Sequence, residues 1–85
     1  MTFEVIIHPK AAKALEKLPK DIANRITDKL EEAKHEPKKY TEKLVESEDY
    51  KIRVGDYRIF VGIIYNTNAL EVYSIKHRRE AYKKK

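Results

Sequence analysis

Side chains in two stretches, Lys51 to Phe60 and Lys76 to Lys83, have the types and spacing to do chemistry. From Tyr50 to Val54 the residues Tyr50, Ile52 and Val54 alternate with Lys51 and Arg53, and after Gly55-Asp56 a β-branched and aromatic run resumes. A two-residue loop that opens on glycine pairs Val54 with Tyr57, Arg53 with Arg58 and Lys51 with Phe60. Lys51, Arg53, Arg58 and Phe60 then share one strand face, with two arginines directly opposed. Like charges across a ladder repel, so the pattern fits a polyanion laid over that face. Long cationic side chains on a solvated face repel little in water, and that plainer reading stands beside the first.

The second stretch holds Lys76, His77, Arg78, Arg79, Tyr82 and Lys83. The formal charge is +5, and its placement is uneven: residues 1 to 75 carry 13 Lys and Arg against 13 Asp and Glu, residues 76 to 85 six against one. A basic terminus following a basic hairpin face is expected of a protein that meets nucleic acid, because neutralising phosphates supplies sequence-independent affinity. Tyr82 lies among Arg78, Arg79 and Lys83, a setting suited to stacking on an unpaired base while its phosphates are gripped. For the lysines at the very end, a solvated tail is the competing account.

Other chemistries find little support. The 85 residues make one domain, 1–85, with room for one modest core. The chain has no cysteine, which excludes disulfides, thiolate zinc sites and cysteine nucleophiles and makes a cytoplasmic home the default. No apolar run reaches membrane-spanning length, and the first residues enter a strand pattern without a signal-peptide layout. His8 and His35 lack a second ligand at metal spacing, and Glu46, Glu48 and Asp49 form an acidic bend with no histidine beside them. Neither a metal nor a cofactor is expected.

The elements that must hold these side chains follow from punctuation and period. Thr2 to His8 reads as a strand ended by Pro9, which suits the first turn of a helix running to Leu18. Ala11, Ala12, Leu15 and Leu18 give that helix one apolar stripe. Pro19 opens a second helix, with Ile22, Ile26, Leu30 and Ala33 at helical spacing up to His35-Glu36-Pro37. Glu36 to Glu42 reads as a loop, Lys43 to Glu46 as a short edge strand, Asn66-Thr67-Asn68 as a turn and Leu70 to Ile75 as the last strand. The fold expected is α+β: an N-terminal strand, a two-helix hairpin, then an antiparallel meander of three to four strands with the helices on one sheet face. Tyr57 and Tyr65 share parity with Ile59, Val61 and Ile63 on the helix side. Gly62 falls on the other side with Arg58, Phe60 and Ile64, where it permits close approach of a ligand or marks a bulge.

Tyr-Lys-Ile-Arg at Tyr50 to Arg53, Gly-Asp-Tyr-Arg at Gly55 to Arg58 and His-Arg-Arg-Glu-Ala-Tyr at His77 to Tyr82 resemble the RelE toxins of prokaryotic toxin-antitoxin systems. The likeness extends over nearly the whole chain, including the Leu-Pro-Lys break between the helices. It implies a small metal-independent endoribonuclease that enters the ribosomal A site and cuts messenger RNA there, inhibiting translation. It also implies an acidic RelB-like antitoxin bound at rest as a heterodimer or heterotetramer. Lys51, Arg53 and Arg58 match the family's basic positions at the scissile phosphate, Arg78 the arginine near the leaving group and Tyr82 the tyrosine near the cleaved nucleotide. Lys51, Phe60, Lys76, His77, Arg79 and Lys83 would complete the RNA contacts. The chain departs from the family in its shorter hairpin turn, in Arg53 where lysine is frequent, and in the compact segment that leaves Arg78 and Arg79 competing for one role.

In-line attack by a ribose 2′-hydroxyl needs a base, stabilisation of added negative charge and an acid, and clustered cations can serve the last two. Lys51 is the better base by residue type; Tyr82 is the other option, or positioning carries most of the rate. Two other readings stay open. The related ParE toxins share the fold but act on DNA gyrase by protein contact, and a non-catalytic RNA-binding module would need only the basic face and Tyr82.

Overall fold

In a computed structural model, described for residues 2–81, His8-Pro9 and Leu18-Pro19 divide the N-terminal half. Strand β1 (Glu4–Ile7) ends at His8, Pro9 takes the first position of α1 (Pro9–Lys17), and extended Leu18 leads through Pro19 into α2 (Lys20–Ala33). The proline ring presets the helical φ and lacks only an N–H that a first-turn residue leaves unpaired anyway. Pro37 repeats the device and opens the one-turn helix α3 (Pro37–Tyr40) inside the segment expected to be a loop. Its hydrophobic ring is buried, which anchors a turn whose polar sequence gives no helical period.

Five strands form one mixed sheet in the order β1-β5-β4-β3-β2, with β2 (Glu42–Lys43), β3 (Tyr50–Val54), β4 (Tyr57–Ile64) and β5 (Ala69–His77) antiparallel in sequence. The opening strand joins as a parallel neighbour of β5, Val5 level with Leu70 and Ile7 with Val72. The short edge strand lies at Glu42–Lys43 rather than Lys43 to Glu46, because the turn that follows has Glu46 in the left-handed region, at φ 59°. The helices cover one sheet face. Ile26 and Leu30 of α2 meet Ile52, Ile59, Val61, Leu70 and Val72, all essentially buried. Removing such a side chain from water contributes about 1.5–3 kcal/mol, so this layer rather than intrinsic helix propensity holds the short helices in place.

The hairpin has the expected register: Val54 pairs with Tyr57, Arg53 with Arg58 and Lys51 with Phe60. Gly55 has φ +57° while Asp56 does not share a positive φ, the backbone of a loop that starts on glycine. Between β4 and β5 the register changes. Phe60 pairs with Ser74 but Val61 with Val72, so Tyr73 is an extra residue in β5. The bulge reverses parity along the strand: Leu70 and Val72 face the helices on one side of it, Ile75 on the other. Tyr65 lies beyond the end of β4 and is 55% exposed, meeting the ring of Phe3 edge-on at 5.8 Å, instead of joining the helix-side layer as its parity predicted.

Candidate functional site

On the face away from the helices, cross-strand pairing aligns Arg53 of β3, Arg58 of β4 and Lys76 of β5 in one row. The next row is Lys51, Phe60 and Ser74. Lys76 reaches this face because of the bulge at Tyr73. Without the extra residue it would share the side of Leu70 and Val72. The spacing of Leu70, Val72 and Ile75, two and then three, is the sequence signal for that extra residue.

Arg53 is exposed and lines several clefts, two of which also hold its neighbouring cations. One, of about 260 Å³, is lined by Arg53, Gly55, Asp56, Arg58 and Arg78. The other, of about 180 Å³, includes Lys51, Arg53, Lys29, Lys39 and Tyr40. The cations assigned to the scissile phosphate are thus adjacent but divided, Lys51 on one side of Arg53 and Arg58 with Arg78 on the other. Lys51 Nζ lies 3.7 Å from the Glu42 carboxylate. Arg58 lies on the expected face but is only 7% exposed, so it is not the solvated side chain that a purely electrostatic face would present. At that exposure the burial takes in the guanidinium Nε as well as the aliphatic stem.

Arg78 begins the short helix α4 (Arg78–Ala81) and is fastened to the hairpin turn: its backbone N–H donates to the Asp56 carbonyl at 2.7 Å, and its guanidinium lies 3.9 Å from the Asp56 carboxylate. Arg78, not Arg79, lines the cleft with Arg53 and Arg58. Tyr82 and Lys83 lie outside the described residues.

His77 departs from its expected place among RNA contacts. It pairs with Tyr57, meets that ring edge-on at 5.2 Å and faces α1 across a groove, away from the Arg53 row. Its Nδ1 accepts the Arg79 N–H at 3.2 Å and its own N–H donates to the Glu80 carboxylate at 3.2 Å. That reciprocal pair caps the start of α4, so His77 positions Arg78 rather than facing a ligand there. The parity reversal at Tyr73 turns it to the helix side.

Sequence reading missed a second group on the open face. Tyr73 lies over Gly62 so closely that a Cβ built there would be 2.3 Å from its hydroxyl oxygen. His8 meets the Tyr73 ring edge-on at 4.8 Å and pairs with Glu71 at 2.8 Å. Burial, reinforced by the carboxylates of Asp49 and Glu71, pushes the Tyr73 hydroxyl above its ordinary range, so it stays neutral. Among the described residues there is no group of three or more His, Asp or Glu side chains able to hold a metal ion.

The family described as ParE toxin of type II toxin-antitoxin system, parDE, matches residues 5–82. The chain belongs to that family. This RelE/ParE-superfamily toxin is also similar to RelE1 of Methanocaldococcus jannaschii, 27% identical over 98% of each chain. Among solved structures it resembles a chain of the archaeal RelE-RelB complex from Pyrococcus horikoshii, at 28% identity and TM-score 0.75, covering 92% of the toxin and 97% of that chain. The fold match to a chain of the Mycobacterium tuberculosis RelBE2 toxin-antitoxin complex has TM-score 0.85 at 21% identity, over 92% and 93% of the two chains. The toxin is therefore an α+β member of a type II toxin-antitoxin system, and no described helix is long and apolar enough to cross a membrane.

Proposed function

We propose that this toxin is a ribosome-dependent endoribonuclease that cleaves messenger RNA in the A site, through attack of a ribose 2′-hydroxyl on the neighbouring phosphate. The observation that carries the reading is the row of Arg53, Arg58 and Lys76, with Arg78 closing the cleft beside it. In the reaction the 2′-oxygen forms a bond to phosphorus, the 2′ proton leaves to a base, the bond to the 5′-oxygen breaks, and that oxygen takes up a proton from water to give the 5′-hydroxyl. Arg53, Arg58 and Arg78 stabilise the added negative charge on the phosphoryl oxygens, Lys51 is the base favoured by residue type, and Arg78 lies on the leaving-group side. Tyr82 is assigned to the cleaved nucleotide by the family motif alone. No step uses a metal ion. The toxin acts where ribosomes are, in the cytoplasm.

The test is primer extension on message bound to purified ribosomes, followed by analysis of fragment ends. A 2′,3′-cyclic or 3′-phosphate with a 5′-hydroxyl is expected, and a message with a 2′-deoxy sugar at the cleaved nucleotide should resist. A 5′-phosphate product, or full cleavage of the deoxy message, returns the cations to RNA binding. The ParE description of the matching family favours a second reading, inhibition of DNA gyrase by protein contact. Loss of supercoiling by purified gyrase, with intact message on ribosomes, would select it.

At rest the toxin is bound by an acidic RelB-like antitoxin, the kind of partner named in the RelE-RelB and RelBE complexes it resembles. A groove of about 540 Å³ between α1 and the sheet supports this. Ala14, Leu18 and Ile75 floor it, and Lys10, Lys13 and Lys17 line one rim, matching an amphipathic segment with acidic flanks.

A further inference from the structure

We propose that the open face beyond Phe60 is a base-reading subsite, in which Asp49, Glu71 and Tyr73 select a nucleotide whose base carries an exocyclic amino group. The inference rests on the RNA reading above and adds which bases the site accepts. Its ground is the order of chemistry along the sheet. Arg53, Arg58 and Lys76 form a cationic row; Lys51, Phe60 and Ser74 come next; Gly62 and Glu71 pair in the row after that, and Asp49 directly precedes the Tyr50 that pairs with Val61. Rows two residues apart are about 7 Å apart. The face thus runs from a cationic end, through a middle row in which Phe60 stands between Lys51 and Ser74, to an end that carries Glu71 and Asp49.

A nucleotide is built in the same sequence. A phosphate held at the cationic row leaves its base over the ring of Phe60, with the base edge directed towards Glu71 and Asp49. Those carboxylates would repel a second phosphate, so the backbone cannot continue along the strip and only a base fits their end. Ionised carboxylates accept hydrogen bonds and donate none. They match the amino groups of adenine, cytosine and guanine and oppose the exposed carbonyl oxygen of uracil.

The group is built rather than incidental. A bulge supplies Tyr73, and bulges next to functional sites re-aim side chains. Gly62 leaves the seat its ring occupies, since a Cβ there would lie 2.9 Å from two ring carbons. Glu71 is oriented by His8 at 2.8 Å, whose ring braces Tyr73. The hydroxyl, kept neutral, remains a donor that can serve a ring nitrogen beside the amino group.

The test is binding of the full chain to fluorescent hexamers of adenosine, cytidine or uridine, with 2′-O-methyl riboses so that none is cleaved, read by anisotropy. Wild-type protein should prefer the adenosine and cytidine hexamers to uridine by about tenfold. The Asp49→Asn, Glu71→Gln double variant should bring the three within about twofold, because an amide also donates to uracil, while binding to uridine holds or tightens. Arg53→Ala should weaken all three alike. A wild-type protein without preference overturns the proposal and needs no variant to do so. An unchanged preference in a double variant with wild-type melting temperature overturns it too, and both results leave the RNA reading standing. Failure of the wild type to bind any hexamer overturns this inference alone, because the ribosome assay above decides the RNA reading separately.

Discussion

The backbone N–H of Arg78 donates to the carbonyl of Asp56 at 2.7 Å, joining the first residue of α4 to the tip of the β3-β4 hairpin. One end of the cleft is therefore tied down by main chain as well as by the His77 cap. Asp56→Ala removes only the 3.9 Å ion pair between two exposed groups and should leave the unfolding midpoint nearly unchanged. His77→Ala removes the Nδ1 acceptor at the same helix start and keeps the main-chain bond to Glu80, a loss of about 1 kcal/mol locally. Faster amide exchange at Arg79 and Glu80, with the core strands unaffected, is the expected result; unchanged exchange would show that the cap contributes nothing.

Arg53→Ala and Arg58→Ala should separate. Arg53 is exposed, so its loss is expected to abolish cleavage with a change in stability within about 0.5 kcal/mol. Arg58 is 7% exposed and packs in the sheet surface. Its replacement should cost about 1–3 kcal/mol as well as activity, which in a chain of this size lowers the melting temperature by several degrees. Thermal unfolding beside the ribosome assay checks both, and equal midpoints would show that the Arg58 stem stabilises nothing.

Gly62→Ala should displace the ring of Tyr73, since the new Cβ would lie 2.3 Å from its hydroxyl oxygen. A cost of about 1–3 kcal/mol is expected from such overpacking. Adding Tyr73→Phe should recover only part of it, because ring carbons lie 2.9 Å from the same point. Full recovery in the double variant, measured by denaturant unfolding, would place the whole clash at the hydroxyl.

Tyr73 gives a pH dependence with a definite sign. Its folded-state pKa is raised above 10.0, so between the unfolded and folded values the native state holds a proton that the unfolded chain has lost. Stability from this group is complete below pH 10 and falls as pH rises through the folded value. Tyr73→Phe should remove that component. A wild-type and variant stability difference that stays flat from pH 9 to 11 would contradict it.

Antitoxin affinity should fall as salt rises, because in the proposed complex acidic residues of the partner would meet Lys10, Lys13 and Lys17 on the groove rim under partial solvent screening. Titration calorimetry at two ionic strengths tests this. A salt-independent affinity would assign the interface to the groove's apolar floor alone.

The hairpin and its row of arginines were legible from the sequence, since a period of two and a glycine-first loop specify register over ten residues without help from elsewhere. The proline-bounded helices were legible for the same local reason. The parallel seat of β1 beside β5, the helical turn at Pro37 and the burial of Arg58 were not. Each depends on which distant surfaces meet. The bulge at Tyr73 shows the division most clearly: Leu70, Val72 and Ile75 carry the parity change in their spacing, but only pairing against Phe60 and Val61 determines which residue becomes the extra one. That choice turns Lys76 towards the cations, sends His77 to the helix side as a cap, and brings Tyr73 over Gly62 beside Glu71. A strand's own residues set its alternation. Where the alternation breaks, cross-strand hydrogen bonding and packing on the helices decide the face each side chain serves.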